Sequence, residues 1–419
     1  MADVQSWLAI DNYISPSLIY SDSSLSLSSS STTTRSAPSL CADSSFSSIR
    51  SSSSARTYYT YQTTAKPSAS HFCISSTNAA AAHISCLAVH DGLLYAATIK
   101  GINVFDPANL ALVETFGSGS GWAKSIAFTN GRIFTAHQDC KIRVWTPSIS
   151  PKSKHRLITT LPTLKDRFHN CLSAKNYVKV RRNKRRLRIQ HADAVSGLAV
   201  DADCGEIYSI SWDKSFKTWK TTSDIQCIDS VNLAHSDAVN AVAVAGGTVY
   251  TGSADGQIKV WRATSDGRKR RLSAMLSKHK SSVNALAVRP DGAGLVSGGG
   301  DGVILVWERR DGGGDGEDMD FFVACCLKGH KGAVLSLVCV GDLVISGSSD
   351  GRVRIWKYGK GFGYRGCCVA EMEGHCKPVK SVVVVEDEGL DGQGFSVISG
   401  SIDGEIRVWK VVISDHYSD

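Results

Sequence analysis

The chain has 419 residues, 42% of them hydrophobic and 21% charged, with 47 Lys and Arg against 39 Asp and Glu. That is enough length for two or three domains and enough apolar content for a sizeable core, which excludes a chain disordered throughout. No apolar run is long enough to cross a membrane as a helix, and the 13 cysteines show no C-x-x-C spacing, so they read as reduced thiols packed in sheets.

Residues 1–69 form a Ser-rich tail. Positions 15–54 hold 20 serines and few large apolar groups, too little to offset the entropy of ordering, so disorder is expected there. The apolar run at 7–10 (WLAI) is too short for a secretory signal, and acids flank it. A Ser-rich start also suits a chloroplast transit peptide, but Asp3, Asp11, Asp22 and Asp43 weigh against one. Ser15-Pro16 and the RSSS stretch at 50–53 are candidate kinase sites.

From residue 83 a unit recurs. The first copy, 83–106, is degenerate, with Lys100 and Phe105 where later copies have Asp and Trp. The second, 117–145, carries Thr135, Asp139 and Trp145, with Gly119 where a His would fall. Five complete copies follow. They are His191, Ser209, Asp213 and Trp219; His235, Thr251, Asp255 and Trp261; His279, Ser297, Asp301 and Trp307; His330, Ser346, Asp350 and Trp356; and His375, Ser399, Asp403 and Trp409. In each, the hydroxyl residue precedes the Asp by four positions and the Trp follows it by six. A fixed internal repeat means stacked units of one fold.

The copy at 235–261 (HSDAVNAVAVAGGTVYTGSADGQIKVW) shows what each unit is. Strands are expected at 239–244, 248–253 and 257–261, with Ala-Asp-Gly turning between the last two and a fourth strand at about 227–232. Four short antiparallel strands cannot bury both faces alone, but stacking them around an axis does so and leaves only short edges. The His/Ser/Asp trio invites a hydrolase reading. Five identical copies argue for a structural one.

These residues resemble the WD40 family of β-propellers. The resemblance implies an all-β, seven-bladed propeller in which His, Ser or Thr, Asp and Trp form a buried tetrad in each blade. It implies a non-enzymatic protein-binding platform with no cofactor, metal or small-molecule substrate, and a closed ring needs no second copy. The propeller is expected over 70–413, with 414–419 as a short tail. The seventh blade lacks an outer strand, which 70–77 (SHFCISST) supplies through Phe72 and Ile74.

Between the second and third copies the spacing stretches. Trp145 and Trp219 are 74 residues apart, against 42 for the next interval, and the extra material is 162–190. Thr163-x-x-Asp166 is a capping-box pattern, and Leu164, Phe168, Cys171 and Leu172 at helical spacing predict a short amphipathic helix docked on a blade. A hairpin turning near Asn183 follows. Val178, Val180, Leu187 and Ile189 are expected on one face, and Lys179, Arg181, Arg186 and Arg188 on the other. Two exits remain open. If 155–161 is an outer strand, the insertion leaves beside the tetrad His and Asp ends; if 185–189 is, it leaves from the opposite face.

Residues 175–188 hold eight Lys and Arg and no acid, which equals the formal charge of +8. Lys179, Arg181, Arg182, Lys184, Arg185, Arg186 and Arg188 are candidate partner contacts. They fit a solvated edge, a nuclear address in RRNKRR, phosphates of nucleic acid or an anionic lipid surface, or an acidic protein. With Tyr177 as the lone interleaved aromatic, sequence-specific nucleic-acid reading is not expected. A second basic cluster, 268–271, sits in a blade loop. Trp212, at a turn tip, is either an exposed anchor or packed under the insertion, and Asp193 and Asp237 rim the same face.

The segment LPTLKDRF…KNYVKVRRNKRRLRIQHADAVSGLAV resembles the plant Jingubang-like WD40 subfamily, with Gln190 and Arg188 where an aromatic and an acid are commoner. That resemblance implies a cytoplasmic or nuclear plant regulator of the kind that restrains pollen germination and tube growth, holding a protein such as a transcription factor. A rival reading comes from 295–310 (LVSGGGDGVILVWERR). It nearly fits substrate receptors of cullin-4 ubiquitin ligases, with Trp307, Glu308 and Arg310 matching and Arg309 departing.

Overall fold

The alternating apolar runs of each repeat fold as a four-stranded antiparallel sheet, or blade. A computed structural model describes residues 68–78, 83–147, 154–181, 184–222, 224–292, 294–310, 320–359, 366–386 and 394–414. Among these, seven four-stranded blades and one two-stranded ribbon are present. Blade one runs Ile84–His90, Leu93–Thr98, Ile102–Phe105 and Leu112–Phe116. Blade two runs Ala123–Thr129, Arg132–His137, Ile142–Thr146 and Arg156–Leu161, and blade three Val195–Asp201, Glu206–Ser211, Phe216–Lys220 and Gln226–Val231. Blades four, five and six begin at Val239–Ala245, Val283–Val288 and Val334–Val340. Most of residues 1–69 lie outside the described residues.

The first strand of each blade packs against the first strand of the next, and Val379–Glu386 of blade seven returns to Ile84–His90 of blade one. The ring is closed. Blade seven is completed from both directions of the chain: Val379–Glu386, Gly394–Ser401 and Glu405–Ser414 take Ser68–Asn78 as their outer strand, paired from Ser68↔Ser414 to Asn78↔Glu405 with a register shift between Cys73 and Ser75.

An inner strand is a sheet edge, and its free N–H groups need partners. Hydroxyls of the preceding blade provide some of them. Leu87 N–H donates to Ser381 Oγ at 2.9 Å, Leu198 N–H to Ser125 Oγ at 3.2 Å, and Val382 N–H to Ser336 Oγ at 3.0 Å. Every inner strand also carries a one-residue bulge at its start, for example between Val195 and Gly197. Apolar contacts fill the space between blades, as where Val283, Leu286, Val296, Val306 and Val334 share one cluster across blades five and six.

Candidate protein-interaction surface

The tetrads fix the blades and leave little for chemistry. In blade four, His235 Nε2 is 2.8 Å from the Thr251 hydroxyl, the Trp261 indole N–H donates to that same oxygen at 2.9 Å, and His235 Nδ1 meets the Asp255 carboxylate at 3.1 Å. Blade three repeats this with His191, Ser209, Asp213 and Trp219, and blade six with His330, Ser346, Asp350 and Trp356. Each Asp also accepts backbone N–H groups, as Asp255 does from Ser236 and Gln257 at 3.0 Å each. Burial opposes ionisation of Asp255 and Asp350. The His partner and the backbone donors outweigh it and hold both carboxyls well below the usual range.

Three blades vary the theme, and two of them correct the expectation of five complete tetrads. In blade five His279 bonds Ser297 at 2.7 Å and Trp307 donates to Ser297 at 2.8 Å, but His279 Nδ1 is buried without a hydrogen bond, and burial pushes its pKa down to about 4. Asp301 instead holds the turn through Val303 N–H at 3.1 Å. In blade seven the set His375, Ser399, Asp403 and Trp409 closes on three sides. Trp409 is buried, its indole N–H donates to the Ser399 hydroxyl at 2.9 Å, and His375 Nε2 meets that hydroxyl at 2.8 Å. The His375 ring then faces Glu405 at 3.4 Å where Asp403 was expected, while Asp403 accepts from Glu405 N–H at 2.9 Å. The Glu405 side chain, two residues further on, reaches the space beside the imidazole, so Asp403 in the turn and Trp409 on the strand after it are not joined in one hydrogen-bonded chain. Arg407, two residues before Trp409, lies with its guanidinium carbon 5.8 Å from the Trp409 ring.

Blade two fills its missing position from another place. His137, on the second strand, puts Nε2 2.7 Å from the Thr135 hydroxyl, which also receives Trp145 N–H at 2.8 Å. Asp139 is then free to pair with Arg143 through two hydrogen bonds, at 2.7 and 3.1 Å.

The tetrad hydroxyls of Ser209, Thr251, Ser297, Ser346 and Ser399 are fully buried and each is engaged by both His and Trp. No substrate reaches them, so these trios are struts. His375, Asp403 and Glu405 bring three ligand-type atoms within 4.8 Å of one another. Arg407 pairs with Glu405 at 2.8 Å and places a positive charge where a cation would sit.

Trp212 is half-buried at its turn and lies toward blade two, with the Lys124 ammonium 5.3 Å from its ring and 3.4 Å from that of Trp122. Asp193 and Asp237 shape turns. Each accepts the N–H of the next residue, Ala194 at 2.7 Å and Ala238 at 2.8 Å, and their carbonyls accept from Ser211 and Ser253.

Arg156–Leu161 is the outer strand of blade two, paired with Ile142–Thr146. The insertion therefore occupies the connection to blade three's inner strand. It opens with helix Leu164–Cys171, whose capping box is present in full: Asp166 N–H donates to Thr163 Oγ1 at 3.1 Å, and Thr163 N–H donates to Asp166 Oδ2 at 3.1 Å. The expected docking of its apolar face is wrong. None of the helix's residues is buried, and its apolar side chains point to solvent.

The ribbon pairs Tyr177–Arg181 with Lys184–Leu187. Its faces do not divide into apolar and basic, a further correction. A one-residue register shift between Lys179 and Arg181 sets Val178 opposite Arg186 and Tyr177 opposite Leu187, so each face mixes both kinds. The seven basic candidates separate by role. Arg186 donates to the His191 carbonyl at 2.9 Å and Arg188 to the Ser230 carbonyl at 3.0 Å, while the Arg188 carbonyl accepts from buried Lys217 at 2.7 Å. Leu187 and Ile189 are buried beneath. Lys179 and Arg185 are exposed. The side chains of Arg181, Arg182 and Lys184 lie outside the described residues. Of the cluster at 268–271, Arg270 is buried and pairs with Glu206 and Tyr208 of blade three.

Sequence reasoning missed His137, which stands off the repeat spacing, the Trp122–Lys124–Trp212 stack, and the outward apolar helix. A His two residues after Thr135 was the available signal for the first.

The family described as WD domain, G-beta repeat, matches residues 226–262, 270–308, 322–357 and 366–410. Each match takes the outer strand of one blade and three strands of the next. The chain is 30% identical over 138 residues to the DENN domain and WD repeat-containing protein SCD1 of Arabidopsis thaliana, covering 33% of this chain and 10% of that protein. It is 26% identical over 144 residues to the small ribosomal subunit protein RACK1y of Oryza sativa subsp. japonica, covering 34% and 38%. The chain thus spans well under half the length of these relatives. The computationally designed Ika8 protein superposes with a TM-score of 0.53 at 22% identity, over 78% of this chain and 96% of that one, which speaks to the fold alone. Four repeats over 226–410 match in sequence and, among the described residues, seven blades close into one ring, so the chain is a seven-bladed β-propeller that carries WD40 repeats.

Proposed function

We propose that this propeller is a non-enzymatic scaffold that holds regulatory proteins against the face bearing the insertion. The observation that carries the reading is the anchoring of 162–190. Arg186, Arg188, Lys217 and Ser230 tie the insertion to blade three, their side chains donating to main-chain carbonyls, while Lys179 and Arg185 stay exposed. A loop held this way presents a fixed surface, and fixed surfaces lose less entropy on binding.

The finer reading is a plant regulator of the Jingubang-like kind, cytoplasmic or nuclear, that restrains pollen germination and tube growth by holding a transcription factor. The segment KNYVKVRRNKRRLRIQ supports it, and two relatives named above are plant proteins. The test is affinity capture and imaging of the wild-type chain beside a variant with Lys179, Arg181, Arg182, Lys184 and Arg185 changed to Gln. Arg186 and Arg188 stay, because they anchor the fold. Loss of a defined protein partner or of a nuclear pool supports the reading. An unchanged partner set and location confines the basic residues to solvation.

A second reading, a ubiquitin-ligase substrate receptor, draws on Arg310. Its side chain is 64% exposed beyond the third strand of blade five and pairs with Asp320 at 3.0 Å. Adaptor binding that disappears in Arg310→Ala supports it; a wild-type chain that binds no adaptor removes it.

A further inference from the structure

The helix Leu164–Cys171 is inside out. Amphipathic surface helices put their apolar stripe against the core. Here Leu164, Phe168 and Leu172 are 80%, 67% and 76% exposed. The polar side faces the propeller: Lys165, Asp166, His169 and Asn170 line a cleft against Ile189, Gln226 and Cys227.

This is a built arrangement and not a frayed end. The capping box fixes the helix start. The Asn170 side-chain amide donates to the Asp166 carbonyl at 2.8 Å, and that of Asn176 to the Asn170 carbonyl at 3.1 Å, which fixes its end. Three large side chains held outward by a rigid frame mark an interaction site.

The surroundings say what kind of partner fits. Lys165 and Arg167 on the helix, and Lys175, Lys179 and Arg185 on the segment that follows it, are exposed. Asp166 is the lone acid of 162–190, and its carboxylate is used by the capping box. Beside Leu164 a cleft of about 660 Å³ opens between the helix and blade two, lined by Lys141, Arg167 and Arg186 with Asp139. A concave basic cleft next to an apolar row accepts side chains. A flat bilayer cannot enter it.

We propose that the outward face of this helix and the adjoining cleft form a docking site for an acidic, amphipathic segment of a partner protein. Its apolar side chains cover Leu164, Phe168 and Leu172, and its carboxylates meet the basic rim. The proposal rests on the scaffold reading and adds the partner's chemistry.

The probe is a labelled synthetic peptide of Glu, Asp, Leu and Phe at helical spacing. It is compared with a scrambled isomer of equal charge and with vesicles of phosphatidylcholine and phosphatidylserine in equal parts. The proteins are the full chain, a Leu164→Ser/Phe168→Ser/Leu172→Ser variant, and a Lys165→Glu/Arg167→Glu variant. All five positions are exposed, so the ring should fold in both variants, as melting curves would verify. The expected result is that the patterned peptide binds the wild-type chain and each variant weakens it by about tenfold or more. Equal binding of the scrambled isomer, no effect of the apolar variant, or binding of vesicles in place of peptide overturns the proposal. So does absence of peptide binding. If affinity capture returns the same partners for the wild type and the apolar variant, the scaffold reading stands and this site falls. If the wild type captures none, the scaffold reading itself falls.

Discussion

The Nε2 atom of His137 lies 2.7 Å from the hydroxyl of Thr135, two residues before it on the same strand. Residues two apart on a strand share a face, so this pair meets without help from a loop. It supplies blade two with the hydrogen bond that other blades draw from a His preceding their inner strand. His137→Ala leaves the Thr135 hydroxyl and the Gly121 carbonyl each short of a partner and should lower stability by about 1–3 kcal/mol. Urea unfolding would measure it. A change within error would show that the contact is incidental.

Acid should weaken the ring before the carboxylates titrate. Burial holds His137 and His279 near pKa 4, against 6.5 for the free side chain. Between those values the unfolded chain takes up protons that the folded ring refuses. Stability therefore falls as pH drops from about 6.5 to 4, by up to about 1.4 kcal/mol per pH unit for each histidine. Denaturation midpoints at pH 7, 5.5 and 4.5 should trace this slope, and His137→Gln should flatten it. An unchanged midpoint down to pH 4.5 contradicts the assignment.

Neighbouring blades touch through glycine. A methyl group on Gly298 would stand 2.5 Å from Val334 Cγ1, and one on Gly252 2.6 Å from Val283 Cγ1. Blade three solves the same contact the other way, with bulky Ile210 opposite Gly197 of its own inner strand. Gly298→Ala should cost about 1–3 kcal/mol. Adding Val334→Ala should recover part of that loss, which thermal melts of the single and double variants would show.

Arg185 and Arg188 are three positions apart and should behave differently. Arg188→Gln removes a hydrogen bond to the Ser230 carbonyl and should raise amide hydrogen exchange across the insertion. Arg185→Gln should leave exchange and melting unchanged. Equal behaviour of the two variants would mean the anchoring is carried elsewhere.

The blades were legible because each repeat bonds within itself. Asp255, Thr251 and Trp261 sit at fixed sequence distances since they meet on one turn and two paired strands. The same spacing placed Trp409 on Ser399 correctly, yet it could not say that Glu405 would stand beside His375 in place of Asp403. The capping box at Thr163 was legible as a contact within three residues. The outward helix was not. A stripe of Leu164 and Phe168 says that one side is apolar but not whether the propeller covers it. Ribbon register depended on a one-residue shift between Lys179 and Arg181, which an even scatter of Lys, Arg and Val does not reveal. His137 broke a spacing rule while keeping its chemistry, so a rule based on spacing passed over it.

The strand Ser68–Asn78 carries a consequence for biosynthesis. It leaves the ribosome before any blade exists, and its partner Glu405–Ser414 follows more than 300 residues later. At a synthesis rate of about 5–20 residues per second, the two are separated by tens of seconds. During that interval six blades can form while the seventh waits, and the early strand has no edge to join. Two chains growing close together could then exchange these strands, each latching the other's ring.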